Sequence, residues 1–224
     1  MAIILKKYDL SVLLAPKAAS TTIKHVAFFI ENGRPFEPYY ANSRHRQVHQ
    51  LYHSRLFKFE KELVDWNASV FAVIRDPIER LLSCHANRVL ELNELDKVQL
   101  TEADVEKGVV ARPDFETFVA HLGRYRQLSD KIRHHSLPLE RFLGGRADRY
   151  TGVFDCADLT GFWDMLRTRV GRLPEIPRDQ RSAAAVKART ITRATLARIQ
   201  ELFAKDYDVF GKFLAQTERT YQVT

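Results

Sequence analysis

Pro16-Lys17-Ala18-Ala19-Ser20-Thr21-Thr22 sets a lysine beside a run of hydroxyl residues. An ammonium, hydroxyl donors and the N–H groups of a helix start together bind anions, phosphate most naturally. The same residues also suit a plain helix cap, where Ser and Thr are common. The loop is not the ordinary nucleotide loop G-x-x-x-x-G-K-[ST], because it contains no glycine. A second group is Arg75-Asp76-Pro77-Ile78-Glu79-Arg80-Leu81-Leu82-Ser83. On a helix, Asp76, Arg80 and Ser83 fall on one side, next to Arg75. A guanidinium with a hydroxyl cradles a phosphate monoester; the competing reading is an Asp76–Arg80 surface pair with a solvated serine. The third group is His45, His49 and His53, whose even spacing would line them along one helical stripe. A neutral imidazole suits proton abstraction near neutral pH. A pair of them has spacing for zinc, but there is no H-E-x-x-H and no cysteine nearby, so no metal is expected.

These groups need elements to hold them. Leu10 to Leu14 is a short apolar run that reads as a buried strand, ended by Pro16. From Thr22 onward, Ile23, Val26, Ala27 and Ile30 recur at helical spacing, and Gly33 supplies a stop. The helix therefore opens at Ser20-Thr21-Thr22, beside Lys17, and His25 one turn in reads as packing. Arg44 to Phe59, dense in Arg and His, is expected to be partly helical. Ser69 to Ile74 is a second buried strand, rich in β-branched and aromatic residues. It runs into Asp76, a good N-cap, and Pro77, which fits a first helical turn; the helix then continues to Leu90. Beyond a polar excursion from Leu92 to Pro113, Asp114 caps a short helix. A further helical piece from Leu137 to Leu143 closes on Gly144-Gly145. A third strand at Tyr150 to Phe154, a helix from Thr160 to Val170, a loop from Leu173 to Lys187 and a long closing helix complete the chain. Strands alternating with helices predict an α/β fold, a P-loop-like parallel β-sheet flanked by helices on both faces. Ligands in such folds collect at the carboxyl ends of strands. Lys17 and Arg75 both follow strand ends, which favours an anion site over a mere cap.

The whole chain, 224 residues, reads as a single domain spanning 1–224. Its net charge of +7 favours a polyanionic partner, but does not choose among phosphorylated cofactor, acidic glycan, nucleic acid and membrane. No apolar run approaches a membrane span, and no secretory signal or disulfide framework is evident, so a cytoplasmic protein is expected.

Pro16-Lys17-x-x-Ser20-Thr21-Thr22, followed by Arg75-Asp76-Pro77-x-x-Arg80-x-x-Ser83, resembles the paired signature of sulfotransferases that use 3′-phosphoadenosine 5′-phosphosulfate (PAPS). The similarity is to the carbohydrate branch, family 2-like, in a small soluble bacterial-type form without the anchor and stem of lumenal members. His134 or His135 with Pro138 is similar to a His-x-x-Pro-Gln segment of that family, although Leu139 stands where Gln is usual. Leu202 to Phe213 is similar to its closing Tyr-x-x-Asp-x-x-x-Phe helix. The resemblance implies sulfuryl transfer from PAPS to a hydroxyl of an acceptor, a carbohydrate, leaving 3′-phosphoadenosine 5′-phosphate. It implies that Lys17 neutralises the leaving group, that Ala18, Ala19, Ser20, Thr21 and Thr22 hold the 5′-phosphate, and that Arg75 and Ser83 hold the 3′-phosphate. Arg181 and Ser182 fall where the family closes over the nucleotide; by composition alone they sit in a solvated loop. His49 first, and His45 next, take the place of the general base.

Two other readings stand beside this one. A nucleotide-dependent kinase of P-loop type lacks its glycines and an obvious acidic magnesium ligand, Asp155 being the candidate. A basic nucleic-acid-binding module would explain the charge but not the phosphate loops, and no helix-turn-helix, RNP or zinc-finger pattern is present; no nucleic-acid partner is expected. Arg34, Arg44, Arg46, Arg55, Arg124 and Arg126 either line an acidic-acceptor site or serve solubility. The oligomeric state is not readable from the sequence.

Overall fold

The computed structural model describes residues 2–176, 189–214 and 221–224. The chain runs β1 (Ala2–Leu5), β2 (Leu10–Leu14), α1 (Ser20–Asn32), β3 (Tyr39–Ala41), β4 (Arg44–Arg46), α2 (Val48–Leu51), α3 (Phe57–Glu60) and β5 (Ser69–Ile74). Next come α4 (Pro77–Cys84), α5 (Glu102–Glu106), α6 (Phe115–Ala120), α7 (Leu122–Leu128), α8 (Asp130–Ser136) and α9 (Glu140–Leu143). It closes with β6 (Gly152–Asp155), α10 (Thr160–Val170), β7 (Arg189–Ile191), α11 (Arg193–Leu202), α12 (Ala204–Phe210) and β8 (Tyr221–Val223). Two compact units result, one of Met1–Arg75, Leu139–Gln180 and Asp208–Ala215, the other of Asp76–Pro138, Arg181–Tyr207 and Gln216–Thr224.

The first unit is an α/β sandwich around a sheet of strand order β1-β2-β5-β6. β2, β5 and β6 are parallel, and β1 pairs antiparallel with β2 at the edge. The alternation of side chains divides the sheet cleanly. Leu10, Val12 and Leu14 of β2, with Phe71 and Val73 of β5, pack against Ile23, Val26 and Ala27 of α1 and Phe162 and Leu166 of α10. The intervening Leu13, Ala72 and Ile74 are also buried, on the other face, where α9 packs on β2. Burial on both faces explains why these strands read as continuous apolar runs. Gly33 ends α1 with a left-handed φ of 68°, the stop expected of it.

The histidine stripe does not form. Tyr39–Ala41 pairs antiparallel with Arg44–Arg46, so His45 lies on a strand, His49 on the short α2, and His53 beyond that helix. The reason is the turn: Asn42 and Ser43 take φ of 51° and 58°, the left-handed pair that joins a tight hairpin, and Asn tolerates it well.

In the second unit, Asp76 caps α4 by accepting from the N–H of Ile78 at 2.8 Å and of Glu79 at 3.4 Å, with Pro77 in the first turn. The helix does not run on as α to Leu90; it passes into a π-helical stretch, His85–Glu91. Leu81, Leu82, Phe118, Leu122, Tyr125, Ile132, Ile199 and Phe203 make the core of this unit. Arg80 is 1% exposed and donates from Nη2 to the carbonyl of Leu137 at 3.0 Å. It is a buried tie for the segment before Pro138, so it is not the surface group the spacing suggested. Removing the cap by Asp76→Ala is expected to lower stability by about 1 kcal/mol in urea unfolding, with Asp76→Asn keeping most of it. An unchanged midpoint for the alanine variant would mean the cap is idle.

Candidate active site

β2 and β5 are neighbours in parallel register, Leu14 opposite Val73. Whatever follows each strand therefore leaves the sheet at the same edge. After β2 comes Ala15-Pro16-Lys17-Ala18-Ala19; after β5 comes Arg75. The side chain of Arg75 reaches back to this loop, its Nη1 donating to the carbonyl of Lys17 at 3.3 Å. Two cationic residues are thus fixed at one strand edge, where an open parallel sheet binds its ligands.

The loop achieves its turn without glycine by placing other residues in the left-handed region: Lys17 at φ 65° and Ala19 at φ 52°. Each costs roughly 1–2 kcal/mol relative to ordinary backbone. Ala18 between them is fully buried and pins the loop to the core. The N-cap of α1 is Ala19, which has no side chain able to cap; no side-chain hydrogen bond closes this end of the helix. Ser20, Thr21 and Thr22 are its first turn, partly buried, and helical geometry gives their N–H groups no acceptor one turn back. The hydroxyl run is therefore not a helix cap. The arrangement joins a dipole terminus, hydroxyls, Lys17 and Arg75, and suits a phosphate monoester or diester.

His49 stands against the same first turn. Its Nε2 is 3.3 Å from Thr21 Oγ1, and its Nδ1 is 2.8 Å from Nζ of Lys24. Lys24 also donates to Ser54 Oγ at 3.2 Å. Burial depresses the Lys24 ammonium from its ordinary range to about 8. α2 is steadied at its start by Gln50 Oε1, which accepts from the N–H of Gln47 at 2.6 Å. Nearby, Tyr52 donates to Glu31, and burial with this carboxylate contact pushes the phenol far up. His45 stacks obliquely on Tyr40, ring centroids 5.1 Å apart, on the exposed hairpin. His25 packs edge-on against Phe36, as expected of a packing residue, and burial lowers its pKa.

Lys24 was not legible as a site residue. Its only sequence signal is a cationic side chain set between Ile23 and Ala27 on the apolar side of a helix. Of the other candidates, Asp155 at the end of β6 accepts from the N–H of Ala157 at 3.1 Å and shapes a turn. In the second unit, Ser83 is buried in α4, and His135 bonds Arg88 Nη2 at 2.9 Å and the carbonyl of Lys131. Arg181 and Ser182 lie outside the described residues. No helix among the described residues is long and apolar enough to cross a membrane.

The family model described as "Sulfotransferase family" matches residues 1–213. No curated protein matches the chain, and no solved structure does.

The left-handed backbone at Ala19 carries its own test. Ala19→Gly is expected to raise stability by up to about 1 kcal/mol in urea unfolding, since glycine holds φ above zero without the Cβ clash. A loss of stability would show that the loop is not strained there.

Proposed function

The chain belongs to the sulfotransferase family, and we propose that it transfers a sulfuryl group from PAPS to a hydroxyl of an acceptor, a carbohydrate. The observation that carries the donor is the pairing of a helix start that no side chain caps with Lys17 and Arg75, both placed after neighbouring parallel strands. Backbone N–H groups at 18–22 and the hydroxyls of Ser20, Thr21 and Thr22 receive the 5′-phosphate. The ammonium of Lys17 sits where charge gathers on the leaving phosphate as the bond to sulfur breaks, and preorganised charge there is worth several kcal/mol of barrier. Arg75 receives the 3′-phosphate and separates this donor from ATP. His49 takes the acceptor's proton through Nε2, the nitrogen that faces Thr21. His45, stacked on Tyr40 at the exposed hairpin, is assigned to the acceptor rather than to proton transfer. We place the reaction in the cytoplasm, in keeping with cysteines, Cys84 and Cys156, that form no disulfide.

Calorimetric titration with adenosine 3′,5′-bisphosphate, AMP and ATP tests the donor. The bisphosphate is expected to bind alone or far more tightly, and Arg75→Ala to weaken it roughly 10- to 100-fold, the worth of charge-assisted hydrogen bonds. Equal affinity for all three, or preference for ATP with magnesium, would replace sulfuryl transfer with phosphoryl transfer.

A further inference from the structure

Lys24 is among the largest fully buried side chains of the protein, 1% exposed, inside an apolar helix face. A buried ammonium ordinarily sits with a carboxylate, because stripping water from a lone charge is costly. Lys24 has none among the described residues: its hydrogen bonds run to His49 Nδ1 and Ser54 Oγ, and desolvation is the cause of its depressed pKa. The titratable groups on the surrounding elements are His49 on α2, and Tyr52, His53 and Arg55 after it. Lys17 stands in the preceding loop, and His25 and Glu31 lie on α1 itself. β1, which packs on α1, offers only aliphatic side chains. Glu31 is engaged by Tyr52.

We infer that Lys24 is the positioning residue of His49, and that its protonation state decides which imidazole nitrogen carries the proton. This rests on the reading of His49 as the base in the proposed function. An ammonium has only donors. While Lys24 is charged it must donate to Nδ1, which leaves the proton of neutral His49 on Nε2. Nε2–H then faces Thr21 and cannot accept from an acceptor hydroxyl. Once Lys24 is an amine, it accepts from Nδ1–H, and the lone pair turns to Nε2. Both states keep the same contacts, so the switch needs no movement of the chain.

The step then balances. The acceptor oxygen forms a bond to sulfur as the bond from sulfur to the 5′-phosphate oxygen breaks, its electron pair leaving on that phosphate. The acceptor's proton goes to Nε2, and the Nδ1 proton is shared with the Lys24 amine, which releases one proton to solvent before the next turnover. With Lys24 titrating at about 8, the competent form grows as pH rises through that value.

The test is nitrogen NMR of protein labelled with ¹⁵N-histidine, from pH 6.5 to 9.5, with the His49 signal assigned by its loss in His49→Gln. Nitrogen shifts separate the two tautomers. Wild type is expected to pass from the Nε2–H to the Nδ1–H tautomer with a midpoint near pH 8. Lys24→Met, which fills the same buried space without a titrating group, is expected to lose that step, with unchanged backbone shifts showing that it folds. A wild-type His49 with no tautomer step, or the same step in Lys24→Met, overturns the inference. Adenosine bisphosphate binding, measured separately, reports on the donor reading: failure there with the step intact sinks sulfuryl transfer, not the lysine–histidine pair.

Discussion

The parallel pairing of β2 with β5 is the constraint on which the site depends. Because Leu14 lies opposite Val73, the loop after one strand and Arg75 after the other emerge together at a single edge of the sheet. The hydrogen bond from Arg75 to the carbonyl of Lys17 is a consequence of that register. A register slip of one residue would turn the slipped strand inside out and would shift the cationic residues relative to each other. What enforces the register is burial on both faces: Leu10, Val12, Leu14, Phe71 and Val73 against α1 and α10, Leu13, Ala72 and Ile74 on the side of α9.

On that frame the loop makes an unusual compromise. Glycine would take the left-handed positions at no steric cost, yet Lys17 and Ala19 hold them. At residue 17 a glycine would also remove the ammonium that the proposed donor site needs, so under that proposal charge and backbone ease conflict there. The strain is held in place by the buried Ala18 and by the flanking strand and helix. The same economy recurs at Lys24, where a cation is buried without a counter-charge and rests on an imidazole instead.

The frame of the candidate site was largely legible in the sequence because its signals are local. Leu10–Leu14, Ser69–Ile74, the Asp76 cap with Pro77, the Gly33 stop and Thr160–Val170 all stand as read, since apolar runs and capping residues act within a few positions of themselves. The misses share one cause, dependence on distant partners. β1 is a strand only because β2 lies beside it, and the Arg44–Arg46 strand exists only because Tyr39–Ala41 folds back onto it. That pairing is what dissolved the expected histidine stripe. Likewise, the contact of Lys24 with His49 spans from α1 to α2 across the intervening hairpin, and no spacing rule connects them. Arg80 shows the reverse limit: helical spacing placed it correctly on α4, but the side chain is buried and reaches the carbonyl of Leu137 instead of lying at the surface.

A crystal structure of the protein with adenosine 3′,5′-bisphosphate would show directly where the two phosphates sit. The 5′-phosphate is expected on the backbone N–H groups that open α1, within reach of Lys17, and the 3′-phosphate on the guanidinium of Arg75. A nucleotide bound with its 5′-phosphate away from residues 17–22, or with Arg75 turned from the 3′-phosphate, would contradict it.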